Sequence, residues 1–142
     1  MIQFNNLPEE EWLENVETLK SWLYQIARTH SAEIARLNYN FVSKEEILAI
    51  NWQYLKHDYY TDIITFGYAE GDIVEGEVYI CTEQVKAQAV DFNASEKGEL
   101  LRVMAHGLLH LIGFDDHEER DKARMRQEEE KSLLLHAQIS GN

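Results

Sequence analysis

The sequence predicts one α+β domain over residues 1–142, in which a small mixed four-stranded sheet packs against about five helices. The first reason is size, because 142 residues with 44% hydrophobic side chains supply one core and not two. The second is patterning, because short alternating or β-branched segments occur among segments with the three- and four-residue repeat of amphipathic helices. The third is order, because these segments mix without strict βαβ alternation.

The N-terminal part of the chain predicts a strand, a helix and a second strand. Residues 2–4 alternate apolar and polar side chains, as a short strand does. Pro8 and the three glutamates after it are typical of a helix start, and apolar residues then recur at helical spacing over residues 12–27. We expect this helix to end near His30. Residues 32–42 alternate again, which predicts a strand with one solvated face.

The middle of the chain predicts two helices and two strands. Ser43 and Glu46 form a capping box, in which each side chain can accept from the other residue's free backbone N–H. The β-branched and aromatic run at 63–66 indicates a buried strand, and EGD at 70–72 indicates a turn. The expected elements are a helix from Ser43 to about Leu55, strands at 63–66 and 78–80, and a helix from an N-cap at Thr82 through Val90.

The C-terminal part predicts two further helices. Ser95 is an N-cap for a helix whose apolar residues continue over 100–112, and Gly113 stands where a C-cap of positive φ belongs. Residues 117–136 carry interleaved charges of both signs, which is typical of a mostly solvated helix. No internal repeat and no linker interrupts this pattern, so the sequence indicates one domain.

Composition excludes several classes of function. The 26 acidic residues against 13 basic ones give a net charge of -13, which disfavours general attraction to nucleic acid or to an anionic membrane. The single cysteine, Cys81, permits no intrachain disulfide and no cysteine-rich zinc module, so we expect a reducing compartment. The N-terminus lacks a signal-peptide pattern and no run of about eighteen apolar residues occurs, so we expect a cytoplasmic protein without a membrane partner.

The segment HGLLHLIGFDDH predicts a metal site. His106 and His110 are four residues apart on a predicted helix, which places both imidazoles on one face, where they can bind one ion. Gly113 ends the helix and turns the chain back, so that Asp116 can supply a third ligand while positions stay open for water. His117 is the reserve candidate for the third position, because its nitrogen matches the usual preference of zinc. We expect one zinc ion per chain.

Other interpretations of this helix stay open from the residues alone. The two histidines could form a polar seam hydrogen-bonded to neighbours, although each imidazole left unpaired on so apolar a helix would cost roughly 1–3 kcal/mol. Gly107 stands where H-E-x-x-H peptidases carry a glutamate base, which argues against peptide hydrolysis by that route. Glu99 and Arg102 lie on the same helical stripe, and we expect them to form an ordinary surface ion pair rather than to act beside the metal.

Three segments in the same order match a known family pattern over about residues 38–125. HGLLHLIGFDDH, NWQYLKHDYYTDIITF and EGEVYIC resemble the motifs H-G-x-L-H-L-x-G-[FY]-D-H, N-x-x-Y-R-x-K-D-x-P-T-D-V-L-S-F and G-D-I-x-I-[CS] of the YbeY family, bacterial metal-dependent endoribonucleases. The resemblance implies a zincin-like α+β fold with a metal-binding helix and a zinc ion held by His106 and His110. It also implies single-strand RNA cleavage in 16S ribosomal RNA 3′-end maturation and in ribosome quality control.

Two positions depart from the family pattern. The family's third ligand is a histidine where this chain has Asp116, with His117 one residue later, so both stay candidates. The arginine that follows the family's tyrosine is here Leu55. Lys56 beside it offers positive charge but not the bidentate geometry of a guanidinium. We take Lys56 and His57 as candidate catalytic residues, which would neutralise charge in the transition state.

The expected function is therefore that of a zinc-dependent endoribonuclease acting on ribosomal RNA. Two alternatives stay open: a ribosome-assembly factor with a structural metal, which Leu55 favours, and a zinc-dependent hydrolase of another substrate. Affinity for RNA comes from clustered basic residues, which are sparse around the motif. We therefore expect single-stranded ribosomal RNA as substrate and the small ribosomal subunit or its assembly proteins as partners.

Overall fold

The computed structural model describes residues 1–13, 15–58 and 61–141 of the chain. Its elements are β1 (Ile2–Asn5), α1 (Val16–Thr29), β2 (Glu33–Val42), α2 (Lys44–Ile50), a π-helical turn (Asn51–Leu55), β3 (Ile63–Gly67), β4 (Ile73–Cys81), α3 (Thr82–Asp91), α4 (Glu96–Ile112) and α5 (Glu119–Ser140). The predicted α+β class is confirmed. None of the described helices combines the length and the apolar composition that crossing a bilayer requires.

The four strands form one mixed sheet in the order β1-β2-β4-β3. β2 is parallel to both of its neighbours, β1 and β4, whereas β3 pairs antiparallel with β4. The mixed character that the sequence predicts is therefore confirmed. β3 ends the order at one side, and no strand among the described residues pairs with its other edge, which borders the cavity described below.

The two faces of the sheet pack against different partners. Side chains alternate along β4, so Val78 and Ile80 enter the main core with α1, α4 and α5, whereas Cys81 points to the opposite face. On that opposite face, Cys81 packs with Ile47 of α2 and Ile64 of β3 in a smaller cluster. The helix that carries the two motif histidines, α4, therefore belongs to the larger and more deeply buried side.

Two buried hydrogen bonds hold the helices on that side. The Tyr39 hydroxyl donates to the backbone carbonyl of Met104 at 2.8 Å and ties β2 to α4. Trp22 Nε1 donates to the backbone carbonyl of Ser132 at 2.7 Å and ties α1 to α5. Each bond satisfies a polar group that would otherwise be costly in the core. The positions of α4 and α5 are thereby fixed relative to the sheet and to α1.

Gly107 lets α4 lie close to the sheet. A Cβ atom at this position would lie 3.0 Å from Ile63 Cδ1 and 3.0 Å from Val78 Cγ1. The residue after the first motif histidine therefore faces β3 and β4, and its lack of a side chain has a packing reason. This close contact brings the end of α4 beside the edge strand.

The expected helix start after Pro8 is wrong. α1 begins at Val16, and the Asn15 side chain caps it by accepting from the backbone N–H of Thr18 at 2.9 Å. An asparagine at the N-cap satisfies a free helix N–H, which a proline followed by glutamates does not do. Trp12 lies in a turn and packs against the core. Its apolar side chain therefore fits the helical repeat although the residue is not in the helix.

Two boundaries near the middle of the chain also differ. β4 begins at Ile73 rather than near residue 78, because its pairing with β2 includes Glu75 and Glu77. Glutamate is uncommon in strands, so the composition of this segment does not predict one. Thr82 is the first residue of α3 and not its N-cap, which is Cys81 and makes no side-chain cap bond. Tertiary pairing has thus overridden local propensity at both points.

The helix boundaries that capping residues mark agree with the sequence signals, whereas α5 ends at Ser140, four residues beyond the expected 117–136. The capping box of Ser43 and Glu46 is formed, and the helix that they start continues to Leu55, although its last five residues are π-helical. The Ser95 side chain caps α4, and Gly113 ends it with a φ of +129°. These predictions succeed because capping depends on contacts within a few residues.

Candidate metal centre

The candidate centre lies in a cavity of about 670 Å³ between α4, β3 and the π-helical turn. α4 carries His106 and His110 one turn apart near its C-terminal end. Both side chains line the cavity, with His106 half-buried and His110 exposed. The structure thus brings both predicted histidines to one hollow.

The loop after α4 is anchored by one aromatic residue. After the turn at Gly113, the backbone N–H of Phe114 donates to the carbonyl of Leu109 at 3.0 Å. The Phe114 ring meets the His30 ring edge-on at a centroid distance of 5.0 Å, and the Arg124 guanidinium lies 5.1 Å from the Phe114 ring centroid. Contacts with α1 and α5 therefore fix the point from which the chain returns toward the cavity.

The two candidates for a third ligand have different neighbours. Oδ2 of Asp116 lies 3.4 Å from Nε2 of His106, whereas Nε2 of His117 lies 3.3 Å from Oδ1 of Asp115. Among the described residues, Asp115, Asp116 and His117 form a group whose ligand atoms all lie within 4.8 Å of one another. Both candidates line the cavity, and the Asp116 carboxylate is the one beside His106.

A buried carboxylate on α5 orients His106. Nδ1 of His106 lies 2.6 Å from Oε2 of Glu129, which is only 3% exposed. Because an ionised carboxylate can only accept, Nδ1 carries the proton of this hydrogen bond. In the neutral imidazole the lone pair is then on Nε2, on the side of Asp116. Metal-binding histidines are commonly held in this way.

Arg102 joins Glu129 to a second buried carboxylate, Glu99. Nη1 of Arg102 donates to Glu129 at 3.0 Å, and its Nε and Nη2 donate to the two oxygens of Glu99 at 2.9 and 2.7 Å. The contact with Glu99 is bidentate, which makes it strong and directional. Gln88 Nε2 adds a donor to Glu99 at 3.0 Å. We call Gln88, Glu99, Arg102 and Glu129 the buried network.

The charges in and around the buried network shift the pKa values of three groups. Burial raises the pKa of the Glu99 carboxyl, but hydrogen bonds and charge from Arg102 more than offset this and leave the pKa below its usual value. Hydrogen bonds to Glu99, with the charge of Glu129, raise the pKa of the Arg102 guanidinium. Burial lowers the pKa of His106, but the surrounding carboxylates, led by Glu129, raise it above its usual value. The surroundings of His106 therefore favour positive charge.

Asp62 extends this set of carboxylates to the sheet side of the cavity. Its Oδ2 accepts from Gln88 Nε2 at 3.1 Å, and the same nitrogen donates to Glu99. Asp62 lies immediately before β3 and lines the cavity with its neighbour Thr61. Carboxylates consequently border the cavity on both the α4 side and the β3 side.

The third side of the cavity is formed by residues 51–58, which we call the lip. Leu55 and His57 line the cavity, so the position where the YbeY pattern has an arginine does face it. Lys56 is not among the described lining residues, and its Nζ lies 5.8 Å from the centroid of the Trp52 ring. Of the two candidate catalytic residues, the structure thus brings His57 to the cavity and sets Lys56 beside Trp52.

The donors around the cavity fit a divalent cation of the zinc type. Two imidazoles and one carboxylate, from His106, His110 and Asp116, are the ligand types of catalytic zinc sites that keep a position open. The Glu129 hydrogen bond prepares His106 for such a role, and the neighbouring carboxylates compensate positive charge. Among the described residues, however, His106, His110 and Asp116 do not form a group whose ligand atoms all lie within 4.8 Å of one another, so this ligand set stays a prediction.

The sequence did not predict Gln88 or Glu129, two of the four residues of the buried network. Glu129 contacts His106 across 23 residues and from another helix, so no local spacing reveals it. The expectation that Glu99 and Arg102 form an ordinary surface ion pair is wrong, because Glu99 is only 3% exposed and shares Arg102 with Glu129. The available signal was their place on the same helical stripe as His106.

Comparisons with known proteins give a consistent result. The family described as Endoribonuclease YbeY matches residues 3–136. A protein of that name from Bacteroides fragilis is 42% identical over 117 residues, which cover 82% of this chain and 84% of its own. Its counterpart from Cytophaga hutchinsonii is 44% identical over 118 residues and covers 82% of both chains. The one from Flavobacterium johnsoniae is 37% identical over 139 residues, 97% of this chain and 99% of its own.

A solved structure shares the fold. The solution structure of TM1509 from Thermotoga maritima matches with a TM-score of 0.71 and 33% sequence identity. The match covers 96% of this chain and 89% of the other. The similarity therefore includes the sheet and the helices that border the cavity.

Proposed function

The chain belongs to the YbeY family of endoribonucleases, which act in ribosomal RNA processing, and on that premise we propose how its cavity cleaves RNA. The substrate is single-stranded ribosomal RNA, the reaction serves 16S 3′-end maturation and ribosome quality control, and residues 1–142 work as one domain. The names of the relatives support an endoribonuclease over a ribosome-assembly factor with a structural metal and over a zinc-dependent hydrolase of another substrate.

One zinc ion per chain would be held by His106, His110 and Asp116. This set is supported by the 3.4 Å between His106 Nε2 and Asp116 Oδ2 and by the place of His110 one turn further along α4. His117 stays in reserve, since its Nε2 lies against Asp115. The chemistry that zinc supplies when bound at such a site is polarisation of a phosphoryl oxygen and activation of water near neutral pH.

The chain's own side chains position this site and receive the substrate. Glu129 accepts the Nδ1–H of His106 and holds the imidazole in place, while Arg102 holds Glu129. Groups fixed before the reaction need no reorganisation while charge develops. At the lip, His57 and Lys56 neutralise charge on the phosphate in the transition state, His57 from the cavity lining and Lys56 from beside it.

The acidic character of the chain bears on how RNA reaches the cavity. A net charge of -13 repels phosphates at a distance, so affinity from scattered lysines and arginines is insufficient. We place the small ribosomal subunit or its assembly proteins as the partners that present the RNA. The reaction then occurs in the cytoplasm, where ribosomes assemble, and involves no membrane.

The observation that carries this proposal is the place of His106 between Glu129 and Asp116, in a cavity that it shares with His110. The test is cleavage of a labelled ribosomal RNA 3′-end fragment by zinc-loaded protein, beside His110→Ala purified identically. We expect cleavage by the wild type and none by the variant, and no hydrolysis of casein by either.

Two outcomes would contradict the proposal. Equal cleavage by both proteins would trace the activity to a contaminating ribonuclease. Absence of cleavage in both, with binding to the small ribosomal subunit that survives His110→Ala, would favour the assembly-factor alternative. Leu134→Ala, at an exposed position on α5, is the matched control and should cleave like the wild type.

A further inference from the structure

Two large aromatic side chains are exposed on the lip. Trp52 is 57% exposed and Tyr54 is 60% exposed, although both rings are large and apolar. They lie in the π-helical turn next to Leu55, which lines the cavity. Exposed apolar groups concentrated in one place mark interaction surfaces. Neither ring is part of the cavity lining, but Leu55, the residue after Tyr54, is, so both rings lie next to the cavity.

The Tyr54 ring packs against other aromatic side chains. Its centroid lies 5.4 Å from that of Phe66, and the Phe66 centroid lies 5.9 Å from that of Tyr79, both in edge-on geometry. These contacts orient the ring while most of its surface stays open to solvent. A supported, open ring is a suitable platform for another flat group.

Trp52 borders a second hollow, whose lining shares no described residue with that of the cavity. This hollow of about 380 Å³ is lined by Leu48 and Ala49 of α2 together with Trp52. Glu45 and Asp58 also line it, so it suits a base with amino donors rather than a phosphate. The positive charge for a phosphate is on Lys56, whose Nζ lies 5.8 Å from the Trp52 ring centroid.

The net charge decides which kind of RNA contact the chain can use. With 26 acidic and 13 basic residues, release of counterions from phosphates contributes little to affinity. Stacking of bases on aromatic rings needs no net charge and accepts every base. It also requires unpaired bases, which the substrate of the proposed function has.

We propose that Trp52 and Tyr54 stack on unpaired RNA bases that flank the phosphate in the cavity, with Lys56 contacting the intervening backbone. The inference rests on the proposed function, because it names the substrate contacts of the same site. The two aromatic residues act in binding and not in the chemical step. Their loss therefore raises the Kd for single-stranded RNA and the KM for cleavage, while kcat changes little.

The test compares two probes on one set of variants. Fluorescein-labelled phosphorothioate oligoadenylate, and an oligomer with the same backbone but no bases, are titrated with zinc-loaded wild type, Trp52→Ala, Trp52→Phe and Tyr54→Ala. Phe92→Ala is the matched control, because Phe92 is 64% exposed and lies at the C-cap of α3, outside the lip. Thermal unfolding of each variant confirms that it is folded.

We expect Trp52→Ala to weaken binding of oligoadenylate roughly tenfold, and Tyr54→Ala to weaken it by a similar factor. Trp52→Phe should retain most of the affinity, Phe92→Ala should behave like the wild type, and the oligomer without bases should bind all variants alike. KM for RNA cleavage should rise with Kd. This pattern would support stacking and would not arise from a merely structural role.

Three results would overturn the inference. These are unchanged binding in both alanine variants, equal wild-type affinity for the two probes, and a loss of kcat with no change in KM. Wild-type cleavage with unchanged alanine variants would remove the stacking proposal and leave the proposed function intact. Absence of wild-type cleavage would remove the proposed function, and the base-dependence of binding would still decide the inference.

Discussion

The α4 side of the cavity and the lip differ in how their side chains are held. On the α4 side, His106 is linked through Glu129 and Arg102 to Glu99 by hydrogen bonds of 2.6 to 3.0 Å among buried or half-buried groups. On the lip, residues 52–58 are exposed, and only Asn51 is buried. The α4 side is therefore held in place before substrate arrives, whereas the lip is open to contact it. Changes on the α4 side should affect stability and metal affinity, and changes on the lip should affect substrate use.

The largest expected effect follows removal of the cation of the buried network. Arg102→Ala leaves Glu99 and Glu129 as buried carboxylates without their shared partner, which costs about 3 kcal/mol of unfolding free energy. Urea denaturation measures this loss. Arg126→Ala, at an exposed position on α5, should change the free energy by less than about 0.5 kcal/mol. A similar small change in both variants would contradict the stabilising role of the network.

The next effect tests the link from α5 to the metal. Glu129→Gln removes the charge that orients His106 and that pairs with Arg102, so zinc affinity should fall roughly 10- to 100-fold. Competition with a chromophoric chelator measures this affinity. Glu130→Gln changes the exposed neighbour in the same way and should bind zinc like the wild type. Unchanged zinc affinity in Glu129→Gln would contradict a role of the buried network in metal binding.

A gain of function is expected on the lip. Leu55→Arg places a guanidinium at the edge of the cavity, at the position where the YbeY pattern has arginine, and should raise kcat/KM for RNA about tenfold. Leu134→Arg adds the same charge on α5 outside the described cavity lining and controls for general attraction of RNA. If kcat/KM rose equally in both variants, the gain would come from the added charge and not from its position. Zinc affinity should stay unchanged in both.

The smallest effect is a pH dependence of stability. The pKa of Glu99 in the folded state lies below its usual value of 4.5, so its stabilising contribution is present above that value and disappears as pH falls through the folded-state pKa. The difference in unfolding free energy between wild type and Glu99→Gln should therefore be constant near neutral pH and shrink under acidic conditions. A difference that grew on acidification would contradict the ion pair with Arg102.

The sequence predicted the local features of α4 but not its contact with α5. The spacing of His106 and His110, the Ser95 cap and the turn at Gly113 depend on contacts within one or two helical turns, so periodicity and capping rules predicted them. Glu129 meets His106 only because α5 packs against α4, and no local rule specifies that contact.

The lip and the first helix show why other details were not predicted. Lys56 adopts a φ of +59°, a conformation uncommon for lysine, and its side chain lies beside Trp52 instead of lining the cavity. The apolar repeat extended the predicted first helix to Trp12, although Asn15 caps it later. In both cases a hydrogen bond at the end of the helix sets the boundary: the Asn15 side chain accepts from Thr18, and the Lys56 backbone N–H donates to the carbonyls of Asn51 and Trp52. The apolar repeat carries no signal of either bond.

Crystals of the protein grown with zinc, examined by anomalous diffraction at the zinc absorption edge, test the proposed metal site. We expect one zinc peak within about 2.0–2.2 Å of Nε2 of His106, a nitrogen of His110 and an oxygen of Asp116. A peak held instead among Asp115, Asp116 and His117, without contact to either α4 histidine, would contradict it.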